Sequence, residues 1–106
     1  MLEISHPLTG ERLQVANMSF ETKMNLSDAN QACYELGEGW RLPTREELKR
    51  IYHELYKKGV GKYFKGYYWT STEESEGHYY CLNLSEWKYI NAFDDKRMYA
   101  HPVRSL

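Results

Sequence analysis

The sequence predicts an α+β domain made of an opening β-hairpin, two helices and a closing run of short antiparallel strands. Three observations point there. A Pro- and Gly-containing reversal sits between two short apolar segments at the start. Two apolar stripes at helical spacing each follow a residue suited to cap a helix. After Gly61 the segments become short and strand-like, and 11 of the 16 aromatic residues lie from Tyr63 onward. With 106 residues and no internal repeat or linker, one domain spanning residues 1–106 is expected.

The elements follow in order. "LEIS" and "ERLQVA" flank "HPLTG", so residues 2–5 and 12–16 are expected to form the hairpin. The first helix should start at Asn25, whose side chain can cap, with Leu26, Ala29, Ala32, Cys33 and Leu36 as its apolar stripe and Gly37 as its exit. The second has the strongest signal, in "GWRLPTREEL". Thr44 caps, Glu47 reaches back to close a capping box, and Pro43 keeps the preceding residues extended. Leu48, Ile51, Tyr52 and Leu55 repeat at helical spacing, and Lys57, Lys58 and Gly59 are expected to end the helix. The remaining strands are "YYWTS", "HYYCLNL", "KYINAF" and "RMYAHPVRSL", with "TEESEG", "SEW" and "DDKR" as turns. Pro102 marks an edge, a bulge or a strand start.

Composition narrows the function classes. Hydrophobic residues make up 42% and charged residues 27%, with a net charge of −1 and no basic stripe, which speaks against nucleic-acid binding. No apolar run nears the ~20 residues of a membrane helix. "MLEISHPLTG" has acidic and polar residues where a secretory signal would be basic and then apolar, so a cytoplasmic protein is expected, provided no leader has been removed. Cys33 and Cys81 are read as buried small apolar side chains rather than a redox or metal pair.

"MNLSDANQACYELGEGWRLPTREELKRIY", with the later "YYWTSTE" and the terminal "VRSL", resembles a family of bacterial domains named after the carboxy-terminal domain of a collagen-like adhesin. That family lies in the C-type-lectin-like superfamily, with formylglycine-generating enzymes and the variable proteins of diversity-generating retroelements. The resemblance runs from about Asn25 to Leu106. It implies two helices packed on small antiparallel sheets, with the chain ends paired. Family members often carry a cysteine in the first helix and another just after the final "VR", as if bridged. Here Cys33 stands at the first position but Ser105 at the second, which suits a reducing compartment.

Trp40, Arg41, Thr44, Glu47, Trp69 and Arg104 are assigned structural roles. Trp40 is expected to plug the core between the helices. Arg41 should bridge to backbone carbonyls or a carboxylate, in preference to clamping an anion, and Arg104 is read the same way. His6, His53, His78 and His101 show no metal-ligand spacing, so neither metal nor cofactor is expected. The long-loop calcium signature of sugar-binding C-type lectins is missing, as are the paired cysteines of formylglycine-generating enzymes. No Ser, His and acid read as a triad. The expectation is therefore a non-catalytic binding module, not an enzyme. Its surface is placed on the aromatic strands and turns, at Tyr67, Tyr79, Trp87, Tyr89 and Tyr99, because residues of both parities are aromatic and opposite parities face opposite sides of a sheet. A protein partner is preferred to a polysaccharide, because the chain lacks a basic patch and an export signal. A formylglycine-generating type of enzyme ranks third.

Overall fold

The computed structural model describes residues 2–106. Strands β1 (Leu2–Ser5) and β2 (Arg12–Val15) form the hairpin, and β6 (Val103–Ser105) pairs antiparallel with β2, giving a sheet in the order β1-β2-β6. Helices α1 (Leu26–Tyr34) and α2 (Arg45–Glu54) follow, then a second antiparallel sheet of β3 (Tyr67–Ser75), β4 (His78–Asn83) and β5 (Lys88–Phe93), in that order. The protein is thus α+β, with two helices and two three-stranded antiparallel sheets.

Both helix starts are fixed locally. Asn25 accepts from the Asp28 amide at 2.8 Å. Thr44 accepts from the Glu47 amide at 3.1 Å, and Glu47 accepts from the Thr44 amide at 2.9 Å, completing the capping box. Two cores form. Leu48, Ile51 and Leu55 share one with Tyr68, Leu82, Val15 and Val103. Leu26, Ala29, Cys33 and Leu42 share the other with Trp69, Cys81 and Ala92. The second sheet therefore has apolar partners on both faces. Its Trp69–Cys81–Ala92 face lies on the α1 side, and its Tyr68–Leu82 face on the α2 side.

Several local expectations are corrected. α1 stops at Tyr34, so Leu36 falls in the turn leading to Gly37 (φ +87) and is 50% exposed. α2 stops at Glu54, because Leu55 leaves helical geometry (φ −122°, ψ −59°). Lys57 and Lys58 belong to a separate 3-10 turn, Tyr56–Lys58, which Gly59 ends at φ +72. Strand β3 runs on through Ser75, because register shifts between Trp69 and Glu73 and between Glu73 and Ser75 carry it past the expected turn. Residues 97–102 make only single bridges, through Met98 and Tyr99. Continuous pairing starts at Val103, just after Pro102, which has no amide hydrogen to give. Trp40 lies outside both cores. It is half-buried near the surface with the Arg104 guanidinium 5.1 Å from its ring, while Leu42 and Trp69 fill the core beside α1.

Candidate functional site

The β4–β5 turn is organised by buried Asn83. Its side-chain oxygen accepts from the Glu86 amide at 3.0 Å and the Ser85 hydroxyl at 2.9 Å, and its amide nitrogen donates to Glu86 at 3.1 Å. The turn ends at Trp87, whose φ of +52 is a conformation that bulky side chains rarely adopt. The ring then stacks on Tyr52 of α2, with centroids 3.8 Å apart and planes 13° from parallel, and His53 meets its edge at 5.4 Å. Even so, Trp87 stays 39% exposed. Backbone strain of this kind, about 1–3 kcal/mol, persists where the surroundings hold a residue in place, and such residues cluster at functional sites.

Trp87, Tyr89, Lys88 and Leu82 from the sheet and Lys49 and His53 from α2 line a cleft of 370 Å³. Its two lysines reach carboxylates outside it, Lys49 to Glu46 at 3.7 Å and Lys88 to Glu86 at 3.3 Å. On the same sheet face, Tyr89 and Phe93 are 62% and 52% exposed. Their cross-strand neighbours are Tyr80, 5.7 Å from Tyr89, and His78, 3.8 Å from Phe93. The Arg45 guanidinium lies 4.5 Å from the Tyr80 ring. This open stretch exists because α2 packs over β3 and β4, reaching Tyr80 through Arg45, and leaves Tyr89 and Phe93 on the outer strand β5 exposed.

The five rings named from sequence divide. Tyr67 and Tyr79 are half-buried against the α1 core. Tyr99 is half-buried against the other core, 5.2 Å from Phe64 and 5.6 Å from Tyr68. Only Trp87 and Tyr89 come together around the cleft. Tyr52, His53, Lys49 and Phe93 were missed. Phe93 shares its parity with Tyr89, and that signal could have found it. Tyr52 and His53 carry none, because their role depends on a turn more than thirty residues away.

The structural assignments fall as follows. Arg41 donates to both Glu47 oxygens at 2.7 and 2.9 Å, to the Leu42 carbonyl at 3.2 Å and to the Ser105 hydroxyl at 2.9 Å. Ser105 thus ties the last strand to the α2 cap. Arg104 bonds Gln14 and lies 3.4 Å from the Glu38 carboxylate. Trp69 is fully buried and its indole donates to the Met24 carbonyl at 2.7 Å.

A buried polar chain also lies outside the cleft. His101 is fully buried, with Nε2 2.7 Å from the Ala16 carbonyl and Nδ1 2.8 Å from the Ser19 hydroxyl, which is 2.8 Å from the Tyr68 hydroxyl. The Phe64 amide donates to Tyr68. A carbonyl can only accept, so Nε2 carries the proton, Nδ1 accepts from Ser19, and Ser19 accepts from Tyr68. Every member is satisfied by neutral imidazole, and burial pushes the His101 pKa down to about 4. Ser19 is only 2% exposed, so this pair is a packing device. The Cys33 and Cys81 thiols are free and buried, and burial pushes both up to about 12. Among the described residues, no three His, Cys, Asp or Glu side chains converge to hold a metal, and no helix is long and apolar enough to cross a membrane.

No protein-family model matches the chain, and no curated protein matches it.

Proposed function

We propose that the protein is a non-catalytic binding module of C-type-lectin-like fold that recognises a protein partner through the cleft at Trp87 and Tyr89. One observation carries this: Trp87 is kept in a strained backbone conformation and braced on Tyr52, yet more than a third of it stays in water. A residue needed only to close the turn would be glycine or asparagine at such a φ. A rigid, pre-positioned indole beside an exposed tyrosine offers large contact area at low entropic cost, as recognition surfaces do. The inert thiols and the inaccessible Ser19–His101 pair support the absence of catalysis. Two helices beside small antiparallel sheets, with β2 joined to β6, support the C-type-lectin-like assignment.

The test compares capture of partners on the wild-type protein with capture on Trp87→Ala and Tyr89→Ala. Each substitution weakens binding at least about tenfold without loss of fold, as interface anchors do. Capture unchanged by both substitutions refutes the proposal. A polysaccharide is the second reading, favoured by a flat indole beside the polar Lys49 and His53. Trp87-dependent binding on a glycan array, with no protein captured, would select it.

A further inference from the structure

α2 lays a row of nitrogen donors along the open face of the second sheet. Arg45, Lys49 and His53 are spaced four apart, so they share one side of the helix at steps of about 6 Å. The Arg45 guanidinium lies over the Tyr80 ring, Lys49 lines the cleft and His53 meets the edge of Trp87. Tyr80 pairs with Asn91 in the register of β4 and β5, so the row runs antiparallel to β5, from beside Asn91 to beside Trp87. The two helical steps cover about 12 Å, and the four strand residues cover about 13 Å. The opposite wall is aromatic. Tyr89, Asn91 and Phe93 share one face by parity, at steps of about 6.6 Å, and all three are exposed. Tyr80 and Leu82 of β4 form the floor between the walls.

The charge of this groove has one sign. Among the described residues, no carboxylate lines the cleft. Glu46 approaches Arg45 at 3.5 Å and Lys49 at 3.7 Å, but it is 70% exposed and completes no hydrogen bond to the Arg45 Nε. Exposed ion pairs of this kind are worth little, so an incoming carboxylate displaces Glu46 readily.

We infer that the groove binds an extended segment of a partner protein in which carboxylate residues alternate with apolar ones. This names the partner's chemistry for the recognition reading above and rests on that reading. Two periods match. Side chains of an extended chain point alternately to opposite sides and recur on each side about every 6.6 Å. Laid along the groove, such a chain presents every second side chain to the donor row at nearly the spacing of Arg45 and Lys49. Its other side chains meet Tyr89 and Phe93. Asn91, between the two rings, offers both a donor and an acceptor to the peptide backbone.

Fluorescence anisotropy with labelled heptapeptides tests the inference. The probe is Ser-Glu-Leu-Glu-Leu-Glu-Ser. Its controls are the same peptide with Gln for Glu, and the isomer Ser-Leu-Leu-Glu-Glu-Glu-Ser. The wild-type protein binds the alternating acidic peptide at least about tenfold more tightly than either control. Lys49→Glu weakens that binding about tenfold, because an attraction becomes a repulsion. Lys58→Glu changes the net charge equally but lies outside the groove, and it alters affinity by less than about twofold. Both lysines are exposed enough for the variants to fold, which thermal unfolding checks. Absence of binding up to millimolar peptide overturns the inference, as does equal binding of either control or an equal effect of the two lysine variants. Tighter binding of heparin or single-stranded DNA than of the peptide also overturns it. Partner capture that needs Trp87 but is indifferent to Lys49→Glu overturns it while leaving recognition by the cleft in place.

Discussion

Acid should unfold this protein early, and through one residue. His101 is neutral in the fold because Nε2 donates to Ala16 and Nδ1 accepts from Ser19, leaving no acceptor for a second imidazole proton. Its pKa falls from 6.5 to about 4, so the unfolded chain takes up the proton first. The stability that His101 contributes is therefore full above pH 6.5 and is lost as pH falls from there toward 4. Linkage places the loss at about 2 kcal/mol between pH 7 and pH 5, approaching about 3 kcal/mol below pH 4. For a domain of this size the first interval lowers the midpoint of thermal unfolding by roughly 10 °C. The assay is urea or thermal unfolding at pH 7, 6 and 5, on the wild type and on His101→Gln. Glutamine offers one donor and one acceptor but does not titrate here, so the difference in pH slope isolates His101 from the carboxylates. Equal slopes for the two proteins would refute the reasoning. They would mean that imidazolium is accommodated, with Ser19 turning its hydroxyl toward the Lys62 carbonyl 3.4 Å away.

Glu47→Ala removes the capping-box acceptor and both Arg41 bonds together, and should cost about 2 kcal/mol in chemical denaturation, against a few tenths for exposed Glu74→Ala. Burial pushes the Glu47 carboxyl up, but its bonds from Arg41 and Thr44 outweigh that and leave its pKa below the ordinary value. Its contribution is therefore present above the unfolded carboxylate range and is lost as pH falls from there through its depressed folded pKa, so the loss starts at the acid end of the His101 window and continues below it. The two thiols should resist alkylation at pH 8 in the native protein and react together on unfolding. Rapid native labelling of either would contradict their burial.

What the sequence made legible is what short-range forces decide. The Asn25 and Thr44 caps, the Glu47 return bond and the hairpin around "HPLTG" involve groups within a few residues of each other, and each forms where the local pattern put it. β5 matches its expected span because "KYINAF" lies between two strong turns. The failures lie where local signals were silent or conflicting. The end of α2, at Glu54 where Lys58 was expected, turned on Leu55, whose side chain is drawn into the core and whose backbone leaves the helix. Trp40 looked like core because it is large and apolar, yet Leu42 took that place and left Trp40 under Arg104. His101 carried no spacing signal at all. Its partners Ala16 and Ser19, and Tyr68 beyond Ser19, come from two other parts of the chain.

By itself the sequence determined the element types and their order, because capping, turn chemistry and side-chain period act within one or two turns of backbone. It also determined that many rings crowd the second half. Which of them stay in water was decided by tertiary structure alone. Tyr67, Tyr79 and Tyr99 are covered by residues far away in sequence, whereas Tyr89 and Phe93 lie on the part of the sheet that a ten-residue α2 does not reach. Burial is a property of what packs across a face, and no local pattern records how far that neighbour extends.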